Sequence, residues 1–564
     1  MEKTILLGNR ASIELANKIN AELIEVPDLY DSELGAINDF VISNLRQEFR
    51  ILVIDADNFQ RCEVALAIGM YMRFSFTELG VNALNPIVVV SDKSLKTFLN
   101  IKTYSQLFLT PNFYFQSRQE VILDAVIPLK VERYQEDFLD YVHVLAGAET
   151  GRHSLANQWG ANVLYNLLDV EKSCSNPHLN SASKSLYFKY VYAKSINVAD
   201  FLAGGKQSQF EVERLQPIDA KDKRILLIDD EADKGWSDIL GKLIITTNRI
   251  KIFNRKINSY KELDKEIRQG IEQDIFDLVF LDLRINGLDE ESIYNPNHFS
   301  GMKILKRIKQ ENVGIQVIML TASNKAWNLK ALLDEGADGY YMKESPEYGF
   351  SEKFSEANTI VLCDTIKKCL ERQYLKNIYA SIKQIGKDIE KKTKDKADLD
   401  YRTFLKEILT QIKLAFEMEN LCDPTDNTDE GKRKFAYAYI TLYQVIEQIN
   451  KKMVVKDNNG VWRLGGINGT TAAGWSDDLK SYYSIKEKGN DWSYPEWMKM
   501  ASLIKNYWNL NDNNLIKDIR GFIKRRNAFI HDDKDELKSK YADIFTPEAF
   551  KNLFVCINKL MNHM

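Results

Sequence analysis

Phe280-Leu281-Asp282-Leu283-Arg284 is the stretch that decides the fold: an apolar run closed by a single acid. Upstream, Ile225-Leu226-Leu227-Ile228 ends in three acids, Asp229, Asp230 and Glu231. Downstream, Val317-Ile318-Met319-Leu320 ends in Thr321-Ala322, and Tyr340-Tyr341-Met342 ends in Lys343. Short apolar runs with polar ends read as buried strands. These strands therefore deliver an acid cluster, a further acid, a hydroxyl and an ammonium. If they run parallel, all four groups arrive at one edge of a sheet, where open α/β sheets bind ligands. Hard carboxylate oxygens beside one hydroxyl and one ammonium suit a Mg2+-dependent transfer of a phosphoryl group to a carboxylate.

Working outward, residues 1–115 alternate strand and helix patterns, with short strands expected at 4–7, 22–26, 50–54, 86–90 and 106–109. Such alternation predicts a parallel sheet with helices on both faces. Residues 116–215 turn into a helical connector, with three- and four-residue apolar spacing over 132–145 and 154–168. Ser175-Asn176-Pro177 breaks that pattern, and Gly204-Gly205-Lys206-Gln207-Ser208 reads as a link. Residues 222–350 form the second α/β unit, and 355–564 read as a helical bundle with long polar connectors. Within it, 387–400 is a mixed-charge run, a solvated helix face or linker. The Gly- and Thr-rich stretch 460–474, with Trp462 and Trp475, lacks the ending of a phosphate loop and predicts an ordered loop or small hairpin. The expected fold class is α/β plus all-α: two doubly wound parallel sheets, the first degenerate, and a C-terminal helical bundle.

Composition narrows the function. The chain has 564 residues, room for about three or four domains. A net charge of −4 gives no global argument for nucleic acid or an anionic membrane as partner. No apolar run approaches the roughly 18 residues of a spanning helix, so no membrane association is expected. The start, Met1 to Asn9, has too short an apolar core for a signal peptide and reads as a first strand. Six cysteines without a close CxxC pair argue against a structural zinc site or a disulfide framework, and fit a cytoplasmic protein.

Residues 222–350 resemble the receiver domain of two-component response regulators, a flavodoxin-like fold. The likeness rests on Asp229-Asp230-Glu231, Phe280-Leu281-Asp282, Leu320-Thr321-Ala322 and Gly336-Ala337-Asp338-Gly339-Tyr340-Tyr341-Met342-Lys343. It implies that Asp282 takes a phosphoryl group from a histidine kinase or phosphotransfer protein. Mg2+ would be held by Asp230, Asp282 and the backbone carbonyl of Arg284, with Asp229 holding a metal-bound water. Thr321 and Lys343 would bind the phosphoryl oxygens, and Tyr340 would fill the space that Thr321 vacates. Two departures stand out: the stretch 286–300 is longer than usual and carries Asp289, Glu290 and Glu291, and the proline expected directly after Lys343 is delayed to Pro346. A receiver fold that no longer takes phosphate is the alternative.

The first unit echoes this pattern in part. Asp55 ends 51–54 and Ser91 ends 87–90, but the first strand runs into Gly8-Asn9-Arg10 and supplies no acid pair. The expected fifth strand reads Phe108-Leu109-Thr110-Pro111 and supplies no lysine. A pseudo-receiver used for interaction, an unrelated Rossmann-like unit, and a site with Asp55 and Asp57 as catalytic acids all remain open. In the connector, His153 and Asn157 lie one helical turn apart and share a face. That placement suits a phosphorelay histidine, or an ordinary helix start with Trp159 in the core. No ATP-binding kinase signature is evident.

Near the C-terminus, 515–529 has helical apolar spacing, and a final helix is expected over 547–561. Arg526-Asn527 followed by His531 resembles the RNxxxH motif of HEPN domains, a helical superfamily with many metal-independent ribonucleases. The resemblance implies His531 as general acid or base, Arg526 as the cation facing the phosphorane, Asn527 as an orienting group, RNA as substrate, and a homodimer that assembles the site from two copies. The competing reading is an Arg–His pair that closes the bundle and binds Asp532 or Asp533. The chain is thus expected to be a signalling protein in which phosphorylation of Asp282 controls a HEPN-like output, such as a ribonuclease of stress or phage defence. The alternative is a non-enzymatic phosphorelay adaptor or scaffold whose helical domain binds partner proteins. No helix-turn-helix is evident, so DNA is not an expected partner. One long helix over 358–389 is the expected conduit between receiver and output.

Overall fold

A computed structural model describes residues 3–29, 34–146, 152–168, 176–196, 216–248, 250–253, 260–273, 276–285, 289, 295–322, 326–344, 352–393, 399–485 and 493–564. Gly204 to Ser208, Glu290, Glu291 and Pro346 lie outside them.

The first sheet contains β1 (Thr4–Gly8), β2 (Glu22–Glu25), β3 (Ile51–Asp55), β4 (Ile87–Ser91) and β5 (Phe113–Ser117), paired in the order β2-β1-β3-β4-β5. The second contains β6 (Ile225–Ile228), β7 (Lys251–Phe253), β8 (Leu278–Asp282), β9 (Gln316–Thr321) and β10 (Gly339–Met342), in the equivalent order β7-β6-β8-β9-β10. All pairings within both sheets are parallel. Alternate residues of the second sheet enter opposite cores. Leu227, Phe280, Ile318 and Leu320 go to one; Leu226, Val279, Leu281 and Met319 go to the other. This is the period-two pattern of a sheet covered on both faces, and it explains why its strands read as unbroken apolar runs.

Two expectations in the first 200 residues are corrected. The apolar run at 106–109 is a 3-10 turn (Ser105–Leu109) that buries Leu107, and the fifth strand is Phe113–Ser117. Pro111 has no N–H to give a ladder, and Asn112 takes a left-handed conformation (φ 57°), so the chain pairs only after both. The 132–145 pattern is not a continuous helix but the short turns Tyr134–Asp137 and Leu139–Tyr141. Its spacing reflects burial of Tyr134, Phe138, Leu139 and Val142 in the first core, with the Tyr134 hydroxyl donating to the Arg73 carbonyl.

The connector helix α1 (Arg152–Leu167) serves two cores. Trp159 packs into the first and stacks on Phe188; Ala161, Leu164 and Tyr165 pack into the second.

The long helix expected over 358–389 is two helices, α2 (Glu352–Glu371) and α3 (Tyr374–Thr393). The break coincides with a change of partner. Leu362, Cys363, Ile366 and Cys369 of α2 belong to the second sheet's core, whereas Leu375, Ile378, Ile382 and Ile385 of α3 belong to the C-terminal core. That core also contains α4 (Leu399–Asn420), α5 (Asp429–Met453), α6 (Asn513–Ile530) and α7 (Pro547–His563). The Gly- and Thr-rich stretch contributes to a small antiparallel sheet of Val454–Lys456, Trp462–Leu464 and Thr470–Thr471, turning at Gly465 and Gly466 with φ of 81° and 112°. Among the described residues no single helix is long and apolar enough to cross a membrane, and the cysteines are buried free thiols.

Candidate functional site

The register of the second sheet decides which side chains meet. Asp282 pairs with Leu320 and Thr321 with Met342, so Asp282, Thr321 and Lys343 close neighbouring strands at one edge. The Lys343 N–H donates to the Thr321 carbonyl at 2.7 Å, carrying the ladder one residue past β10. Beyond Asp282 the backbone is pinned: the Gly301 N–H donates to the Leu283 carbonyl, and any β-carbon at position 301 would sit 2.1 Å from the Asp282 carbonyl oxygen. Gly301 was not singled out in the sequence, although a glycine at a helix start is a cue for close backbone approach.

Asp229, Asp282 and Lys343 are fully buried, and Thr321 nearly so. Lys343 Nζ lies 2.7 Å from Asp229 Oδ2 and 3.4 Å from Asp282 Oδ1. Burial by itself would depress the Lys343 ammonium, but the two carboxylates outweigh it and hold its pKa above the ordinary value. Burial raises the Asp229 carboxyl, with the Lys343 attraction opposing. One carboxylate oxygen each from Asp229, Asp230 and Asp282 falls within 4.8 Å of the others. This is the hard-oxygen chemistry that Mg2+ prefers, with room for bound water between the ion and some of the carboxylates. The Arg284 guanidinium lies over the Phe299 ring, 4.4 Å from its centroid, and Tyr340 packs half-buried against the core of Leu226, Val279, Leu281 and Met319. Beyond β8, Asp289 accepts from the backbone N–H and the hydroxyl of Ser300 at the start of the next helix.

One residue of the site comes from outside the sheet. Asn157 of α1 is fully buried; its Oδ1 accepts from Lys343 Nζ, and its Nδ2 donates to Glu231 Oε2 at 2.7 Å. The sequence placed Asn157 on a helix face but not at this edge. His153 lies in the same helix one turn earlier, and its side chain is outside the described residues.

The corresponding edge of the first sheet is built differently. Asp55 is fully buried and accepts from the Ser12 hydroxyl at 2.9 Å, from Asn58 Nδ2 at 2.6 Å and from Arg118 Nε at 3.2 Å. Arg118 follows the true fifth strand, so a cation does close this edge, contrary to the expectation from Phe108 to Pro111. Asp57 is turned away and accepts from the Ser91 hydroxyl.

At the C-terminus, α6 presents Arg526 and Asn527, and His531 is its exposed cap. The Arg526 guanidinium bonds Glu447 and donates to Asn527 Oδ1 at 2.8 Å, with the Tyr443 ring 5.4 Å away. The acid meeting Arg526 is therefore Glu447 of α5, not Asp532 or Asp533. Asp533 caps the following turn through the Glu536 N–H.

The family described as response regulator receiver domain matches residues 225–352. The chain is 31% identical over 96 residues to a nitrate/nitrite response regulator protein homolog of Haemophilus influenzae, covering 17% of this chain and 41% of that protein. It is 35% identical over 69 residues to the nitrate/nitrite response regulator protein NarP of Escherichia coli, covering 12% of this chain and 27% of that one. The chain thus spans less than half the length of either relative. Two solved two-component system response regulator/GGDEF domain proteins align over 64% of this chain at 11% and 12% identity with TM-scores of 0.16, too low to carry an argument. Residues 225–352 are a response regulator receiver domain.

Proposed function

We propose that the chain is a response-regulator-type signalling protein in which Asp282 accepts a phosphoryl group from a histidine kinase or phosphotransfer protein and thereby controls the C-terminal helical bundle. The observation that carries this reading is the convergence of Asp229, Asp230, Asp282, Thr321 and Lys343 on one sheet edge. Mg2+ held by Asp230, Asp282 and the Arg284 carbonyl, with Asp229 behind a bound water, would neutralise charge on the transferring group. Lys343 and Thr321 then bind the phosphoryl oxygens, and Asp282 supplies the attacking carboxylate oxygen. Acetyl phosphate and Mg2+ should retard the protein on a phosphate-affinity gel, and Asp282→Asn should abolish the shift. A shift that survives in Asp282→Asn sinks this assignment.

The output is a HEPN-like ribonuclease in this reading. Arg526 faces the phosphorane, His531 moves the proton, and two copies of the motif meet in a homodimer. Growth arrest on expression, abolished by His531→Ala, tests it. A second reading, a phosphate-accepting adaptor whose bundle binds partner proteins, is favoured by one contact: Arg526 is already neutralised by Glu447. Signalling lost in Asp282→Asn but kept in His531→Ala selects the adaptor.

A further inference from the structure

We infer that α1 is an internal plug of the phosphoacceptor site, with Asn157 seated where a phosphoryl oxygen must bind; this rests on Asp282 as the acceptor. An ammonium has three N–H donors. Lys343 directs them at Asp229, Asp282 and Asn157. A phosphoryl oxygen can reach Lys343 only by displacing one of these acceptors. Asn157 is the neutral one, and the only one that does not belong to the receiver sheet, so its amide is the acceptor that yields.

The helix is fitted to this place. At Gly160 a β-carbon would lie 3.2 Å from the Trp236 ring, 3.5 Å from the Glu344 backbone nitrogen and 3.7 Å from Lys343 Cα. The missing side chain is what lets the helix backbone lie against the strand end that carries Lys343. Ala161 and Leu164, the next residues on that face, enter the receiver core. Asp282, which shares Lys343 with Asn157, is itself wholly buried, so an in-line donor reaches its carboxylate only after the surroundings rearrange.

The opposite side of α1 belongs to the first unit through Trp159. A helix expelled from the site therefore stays with the N-terminal unit, and phosphorylation is read as loss of a contact between the two α/β units. A second fastening lies beside it, where Asn176 donates to the Asp233 carbonyl and to the Asp238 carboxylate. Because the two equilibria are linked, whatever draws α1 away favours phosphorylation by the same factor that phosphorylation favours release.

The test uses the full chain and acetyl phosphate with Mg2+. The bond between phosphorus and the acetate oxygen breaks, acetate leaves with the electron pair, and a carboxylate oxygen of Asp282 forms the new bond. Asn157→Ala removes the competing amide. Gly160→Leu forces the helix off the site without touching any group that binds phosphate or metal. Both should label about 10-fold faster than the parent, and without any ligand both should exchange the amides of 157–167 faster. Labelling of the parent with neither variant faster overturns the plug and leaves Asp282 as acceptor. No labelling of any of the three overturns the acceptor assignment, and the plug with it.

Discussion

Arg372 Nη1 lies 3.5 Å from Asp338 Oδ1, both side chains buried, and the same guanidinium donates to the carbonyl of Asn420. Asp338 immediately precedes β10, at the end of the sheet opposite Lys343, and Asn420 ends α4. The helical bundle is thus docked on the far edge of the receiver from the cluster of Asp229, Asp282 and Lys343. Around this bond Lys376 reaches Asp277, Asn312 Nδ2 donates to the Lys376 carbonyl, and Gly314 lies against the Leu375 backbone.

Removing Arg372 should separate the two bodies. Arg372→Ala strips a buried guanidinium from Asp338, which keeps Lys309 at 2.6 Å, and from the end of α4. Breaking a buried charged contact costs on the order of 3 kcal/mol. Urea unfolding followed by calorimetry should show the C-terminal transition moving down and away from that of the receiver. A single unshifted transition would mean that the docking does not depend on this bond.

The receiver was legible because its chemistry sits at strand ends: Asp229, Asp282, Thr321 and Lys343 each follow an apolar run, and a parallel sheet has only one edge to bring them to. The first four strands of the first unit were equally readable. What the sequence did not reveal depends on contacts between distant segments. Nothing near Asn157 announces that it meets Lys343, because that pairing is fixed by packing of Gly160 and Ala161 on another unit. The fifth strand was misplaced because Leu107 and Phe108 are apolar for packing into the first core, not for pairing. The break at Arg372 escaped notice because both flanking segments have good helical spacing, and only their partners differ.

The first sheet should not accept phosphate. Three donors already converge on Asp55 Oδ2, and the chain after β1, Gly8-Asn9-Arg10, supplies no acid pair to hold a metal beside it. Asp55→Asn should leave acetyl phosphate labelling of the full chain unchanged within error. Arg118→Ala should lower thermal stability, since burial already raises the Asp55 carboxyl and Arg118 is one of the groups that offset it. Labelling that falls in Asp55→Asn would reopen this edge as an acceptor.

Glu419 gives the docking region an alkaline-side pH dependence. Burial pushes its carboxyl up to about 8, against the opposing hydrogen bond with Tyr374. The folded chain then holds a proton that the unfolded chain releases near pH 4.5. Stability is full below that value and falls as pH rises towards about 8. Glu419→Gln keeps a neutral group of the same shape, so its urea midpoint should be flatter between pH 5 and 8 and higher than the parent's at pH 8.

Asp277 supplies the opposite slope at the same junction. Burial alone would raise its carboxyl, but hydrogen bonds from Arg224 and Lys376 outweigh it and hold the pKa at about 2. A depressed carboxyl contributes stability that is present above the unfolded value of 3.8 and is lost as pH falls towards about 2. Together with Glu419 this gives the junction two opposing slopes, Asp277 favouring higher pH and Glu419 lower. Lys376→Met removes the cation that α3 contributes while keeping its packing. The variant should lose stability at pH 5, and its acid limb should shift to higher pH because Arg224 alone then holds Asp277. An acid limb unchanged in Lys376→Met would assign that titration to a different carboxyl group.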